Sequence, residues 1–130
     1  MENAIPLKGF LQKEAIKKDV SQDNIKGLFV NSVSARVHLS DYRGHEISTG
    51  IKTIKTPPDA KKVILSLGSW TFHFGKIKLE NDKLSQLLID FGVDMWEEDV
   101  MKVRVDAILR DKSGDRSWEG TFEIISLFFK

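Results

Sequence analysis

The stretch Val63-Ile64-Leu65-Ser66-Leu67-Gly68-Ser69-Trp70-Thr71-Phe72-His73-Phe74 decides how this chain is read. Apolar residues recur at every second position on both sides of Gly68-Ser69, the period of a strand with one buried face. Gly-X is the preferred pair for a two-residue type II′ turn, because glycine accepts the positive φ of its first central position. The spacing therefore predicts a hairpin with Leu67 facing Trp70, Leu65 facing Phe72 and Val63 facing Phe74. Ile64, Ser66, Thr71 and His73 fall on the reverse face.

Toward the C-terminus the parity flips, since Ile77 and Leu79 are out of step with Phe72 and Phe74, and a bulge at Gly75 would restore it. Asn81 or Asp82 can cap a short helix near 82–91, with Leu84, Leu87, Leu88 and Phe91 at helical spacing and Gly92 to close it. The run Asp94-Met95-Trp96-Glu97-Glu98-Asp99 reads as an exposed connection or a helical turn. A last hairpin is expected from Met101 to Phe129. Met101, Val103, Val105, Ala107 and Leu109 would face Trp118, Phe122 and Ile124 across the loop Lys112-Ser113-Gly114-Asp115. That register sets Arg104 against Glu123 and Asp111 against Arg116 on the outer face.

Toward the N-terminus, Val33, Ala35, Val37 and Leu39 alternate with Ser34, Arg36 and His38. The turn Asp41-Tyr42-Arg43-Gly44 would fold this strand back to place Leu39 opposite Ile47, Val37 opposite Thr49 and Ala35 opposite Ile51. Leu7, Leu11 and Ala15, with lysines around them, suggest an N-terminal helix near 8–18. Its apolar stripe is narrow, which favours packing on the domain edge over attachment to an anionic membrane. Leu39-x-Asp41-x-x-Gly44 and Leu109-x-Asp111-x-x-Gly114 share a spelling, but turns of this kind select Asp and Gly, so an internal duplication is the weaker explanation.

Hairpins with apolar faces must bury them against something. The expectation is mainly β: an antiparallel β-sandwich, as one domain over 1–130, with an N-terminal arm or helix over 1–26 and a β core over 27–130. A small barrel comes second and a sheet folded around a longer helix third. With 130 residues, 41% hydrophobic and 30% charged, the chain has the composition of an ordinary globular domain. It contains no cysteine, so disulfides, thiolate metal sites and cysteine nucleophiles are excluded. A formal charge of +1 gives no global pull toward nucleic acid or anionic lipid, and none of the first is expected as a partner. The start Met1-Glu2-Asn3-Ala4-Ile5-Pro6 lacks the features of a signal peptide, and no stretch approaches the ~20 apolar residues of a membrane span. A cytoplasmic location is the expectation, although an already removed leader would leave the same sequence.

No motif carries chemistry. A Gly-x-Ser-x-Gly elbow and a phosphate-cradling glycine loop are both absent. His38, His45 and His73 lack ligand spacing, so no metal or other cofactor is expected. The acidic run Asp90, Asp94, Glu97, Glu98 and Asp99 lacks EF-hand spacing and reads as solvated surface; a carboxylate pair around Trp96 would need a cleft. Lys52, Lys55, Lys61 and Lys62, with Lys76 and Lys78, could line a basic face that touches phosphate, but lysines that block strand addition at a sheet edge are the favoured reading. Trp70, Phe72 and Phe74 share a face with Val63, Leu65 and Leu67, which favours core over a stacking platform.

The functional expectation is thus a non-catalytic binding or protein-interaction module with no catalytic residues, acting through loops or an exposed sheet face on a protein partner. Tyr42, Arg43 and His45 at a loop tip and Trp96 in the acidic run are the candidate binding residues. The alternative is a small barrel or cone carrying an apolar ligand lined by Trp70, Phe72 or Trp118, with a hydrolase a distant third.

Overall fold

Seven strands form two antiparallel sheets in the computed structural model, which describes residues 12–17, 28–41, 47–75, 84–111 and 117–130. In chain order they are β1 (Gln12–Ile16), β2 (Phe29–Asp41), β3 (Ser48–Lys55), β4 (Lys62–Phe74), β5 (Leu84–Glu97), β6 (Val100–Asp111) and β7 (Trp118–Phe129). One sheet runs β1-β4-β7-β2 and the other β3-β6-β5. The two pack face to face, as the β-sandwich expectation requires. The barrel is not formed, because the strands divide into two separate sheets.

The alternation read from sequence is the source of the core. Ala35, Val37 and Leu39 from β2, Val63, Leu65 and Leu67 from β4, and Phe122, Ile124 and Phe128 from β7 meet Met101, Val103, Val105, Ala107 and Leu109 from β6 in one buried cluster. Trp118 completes it at one end, and Trp70, Phe72 and Phe74 pack against it half-buried. These three aromatics are core, and Trp70 stacks on Phe72 at 5.3 Å while Phe72 meets Phe74 edge-on at 5.9 Å.

The expected partners of these strands are wrong in each hairpin. Residues 63–74 do not turn at Gly68-Ser69 but continue as one strand, β4, along β7. Leu67 pairs with Ile124 and Trp70 with Phe122, so β4 advances three residues while β7 advances two. This is a bulge, and it resets the parity so that all six apolar residues still point inward. A Cβ on Gly68 would lie 2.7 Å from Ile125 Cδ1 and 2.8 Å from Glu123 Oε1, so these two side-chain ends lie close over its bare face. Glycine is suited to both devices, and both keep the face, so the pattern alone did not separate turn from bulge.

β2 and β3 belong to different sheets, β2 pairing with β7 and β3 with β6. Ile47 and Ile51 are accordingly 58% and 52% exposed rather than opposite Leu39 and Ala35. Gly50 faces inward instead, so close beneath β2 that a Cβ would lie 2.6 Å from Leu39 Cδ2 and 2.7 Å from Val37 Cγ1. The final hairpin divides in the same way, with β6 between β3 and β5 and β7 between β4 and β2. Arg104 and Glu123 therefore lie in different sheets. Arg36 is the residue directly across from Glu123.

Neither expected helix is present among the described residues. Residues 84–91 begin β5, where Leu87, Ile89, Phe91 and Val93 pair with the inward row of β6. Leu87, Leu88 and Phe91 satisfy helical spacing by coincidence, and the strand leaves Leu88 exposed. Residues 94–97 extend β5 rather than form a connection, and Glu98-Asp99 make the two-residue turn into β6, Glu98 taking a left-handed φ of 53°. Of the expected N-terminal helix, residues 12–16 are strand β1 on the edge of β4, with Ala15 opposite Val63; the rest of 8–18, apart from Lys17, lies outside the described residues. The expected bulge at Gly75 concerns Ile77 and Leu79, also outside them. No helix among the described residues is long and apolar enough to cross a membrane.

Candidate interaction surface

β7 runs down the middle of the larger sheet, and alternation sends Glu119, Thr121 and Glu123 to its outer face. β2 and β4 flank it and present Ser34, Arg36 and His38 on one side and Thr71 and His73 on the other. The register brings the two histidines to one carboxylate from opposite sides. His38 Nε2 lies 3.6 Å from Glu119 Oε1, and His73 Nε2 lies 3.4 Å from Glu119 Oε2. His38 Nδ1 is 3.2 Å from Thr121 Oγ1, and His73 Nδ1 is 3.4 Å from the Gly75 carbonyl, so each ring has a second polar neighbour besides Glu119.

Beside this row sits a second carboxylate. Ser34 donates a hydrogen bond to Glu123 Oε2 at 2.8 Å, and Ser69, carried into place by the β4 bulge, donates to Oε1 at 3.1 Å. These two bonds, with the Arg36 guanidinium across the strand, hold the Glu123 carboxyl below the ordinary glutamate value of 4.5. The result is a polar surface spread over three strands and carrying both signs of charge. Its histidine and Glu119 side chains are about half exposed or more. Among the described residues no group of three ligating side chains is arranged to hold a metal ion.

One end of the sandwich adjoins this surface. Asp41, Trp118 and Phe74 stand side by side across β2, β7 and β4, while Leu84 and Asp111 pair in the other sheet. β2, β4 and β6 end here, at Asp41, Phe74 and Asp111, and positions 42–46, 76–83 and 112–116 follow these strands in the sequence. Tyr42, Arg43 and His45 belong to the first of them and lie outside the described residues. Trp96, the fourth candidate, is elsewhere. It is 6% exposed, on the inner face of β5, with Phe128 packed edge-on at 5.8 Å.

The remaining sequence candidates stay apart. Asp90 pairs with Lys13 at 3.6 Å and Asp94 with Arg104 at 3.6 Å, on different strands, whereas Glu97, Glu98 and Asp99 have no ion pair among the described residues. Lys52 and Lys55 lie on the edge strand β3, and Lys62 pairs with Glu14 at 3.4 Å. Sequence reasoning missed Glu119 and Thr121 as partners of the histidines, and Glu123 as the partner of Ser34 and Ser69. Their outward parity was visible, but the placement of β7 between β2 and β4 was not.

No family model, curated protein or solved structure matches this chain. The functional reading therefore rests on geometry.

Proposed function

We propose that the chain is a non-catalytic interaction module that binds a protein partner through the outer face of its larger sheet, together with Tyr42, Arg43 and His45 of the adjoining connection. The observation that carries this reading is the exposed row His38–Glu119–His73, whose three side chains come from three paired strands and meet on one face of the sheet. Side chains fixed by a sheet lose little further freedom on binding, which favours recognition. The mixture of Arg36, His38, His73, Glu119 and Glu123 with neutral hydroxyls suits a polar protein surface rather than a polyanion.

The test uses the whole chain as bait in extract of its native host, with cross-linking and mass spectrometry to locate the contact. The expected result is a partner cross-linked beside β2 and β7 and lost from both His38→Ala/His73→Ala and Tyr42→Ala/Arg43→Ala variants, with thermal stability unchanged. A partner retained equally by all three proteins, or an apolar small molecule that co-purifies in their native mass spectra, contradicts the reading.

A further inference from the structure

The edge strands β1 and β5 leave between them a groove of about 310 Å³, lined by Ala15 and Ile16 from one side and Val93, Asp94, Trp96 and Glu97 from the other. It is separate from the polar row on the outer face, and its argument does not depend on that surface. We propose that this groove docks a basic segment of a partner protein, taking one lysine or arginine side chain onto the face of Trp96 beside the carboxylates of Asp94 and Glu97.

Three observations select that occupant. The first is a cation already present: Lys17 Nζ lies 6.0 Å from the centroid of the Trp96 ring. That is the outer limit of a cation–π contact, so the chain's own ammonium occupies the position loosely and can be displaced. The ring is fixed, being buried and braced by Phe128, and the Lys17 backbone is anchored through its N–H to the Lys61 carbonyl at 2.8 Å. The second is charge. Asp94 is shared with Arg104, but Glu97 and the adjoining turn residues Glu98 and Asp99 have no ion-pair partner among the described residues. A carboxylate rim around an electron-rich ring face attracts cations and repels acidic or phosphorylated segments. The third is shape. A volume at the low end of the range for ligand sites suits one long side chain, and Ala15, Ile16 and Val93 offer apolar surface to its methylene stem.

β5 is a terminal strand, which lets an extended segment lie alongside it. The ladder to β6 is interrupted between Val93 and Met95, and the extra residue in that bulge is Asp94. A bulge disfavours regular strand addition and re-aims the side chain it carries. Recognition here thus falls to the side chain pocket.

The experiment is a titration of the ¹⁵N-labelled full chain with the capped peptide Lys-Ser-Lys-Ser-Lys, followed by NMR. Saturable shifts are expected at the Trp96 indole N–H and the amides of Val93 to Glu97. Glu97→Gln should weaken binding at least threefold. Lys17→Ala should tighten it at least twofold by vacating the ring, whereas Lys52→Ala, the same charge change on the far edge strand β3 and away from the Glu98-Asp99 turn, should leave it unaltered. Shifts that never saturate or that bypass Trp96 overturn the proposal, as do equal effects of the two lysine variants. Binding of spermidine as tight as that of the peptide also overturns it, because the site would then take a free polyamine.

Discussion

At the scale of single residues, the core holds a hydroxyl whose presence is a cost. Ser126 lies on the inward row of β7 between Ile124 and Phe128, fully buried, and its hydroxyl has no hydrogen-bond partner among the described residues. Stripping a hydroxyl of water without giving it a partner costs about 1–3 kcal/mol. Ser126→Ala removes that hydroxyl and keeps the Cβ, so we expect it to raise unfolding stability by about 1 kcal/mol in urea titration. A loss of stability of that size would show that the hydroxyl is satisfied in solution. The remainder of the inward row was legible as a sequence pattern. Trp118, Phe122, Ile124 and Phe128 keep strict parity, and each is buried. Trp96 was not legible in the same way, because its neighbours Asp94, Glu97, Glu98 and Asp99 mark exposed chain. The bulge at Asp94 is what brings Trp96 into phase with Met101.

At the scale of elements, parity was readable and partnership was not. Residues 101–109 and 118–124 alternate as any buried strand would, and a hairpin between them satisfies the same pattern as two strands in opposing sheets. The choice depends on contacts across the whole chain, which local periodicity does not encode. β3 was the least legible strand, since Ile47 and Ile51 differ in parity from Ile54 and only the approach of Gly50 to β2 fixes which face is buried. The same long-range pairing creates the candidate surface: Ser34 on β2, Glu123 on β7 and Ser69 on β4 meet only because β7 lies between the other two. Since the two serine bonds and Arg36 depress the Glu123 pKa in the folded state, their stabilisation is present above the ordinary glutamate value of 4.5 and is lost as pH falls below it. Glu123→Gln should therefore lower the melting temperature at pH 7, with the gap to the unsubstituted protein closing by pH 3. A gap that is constant from pH 7 to pH 3 would mean the carboxylate charge plays no part.

At the scale of the whole molecule, the two sheets divide the chain's properties. Their inner faces carry nearly all of the apolar alternation and explain stability, whereas the outer face of the larger sheet gathers side chains that are far apart in sequence. His38, His73 and Glu119 become neighbours only through the order β4-β7-β2, so the interaction surface stands or falls with that order. Backbone nuclear Overhauser contacts of β7 test it most directly. Contacts are expected from Thr121 to both His38 and Thr71, and from Glu123 to Arg36. Contacts from Phe122 to Val105 and from Ile124 to Val103, as neighbouring strands of a single hairpin, would contradict it.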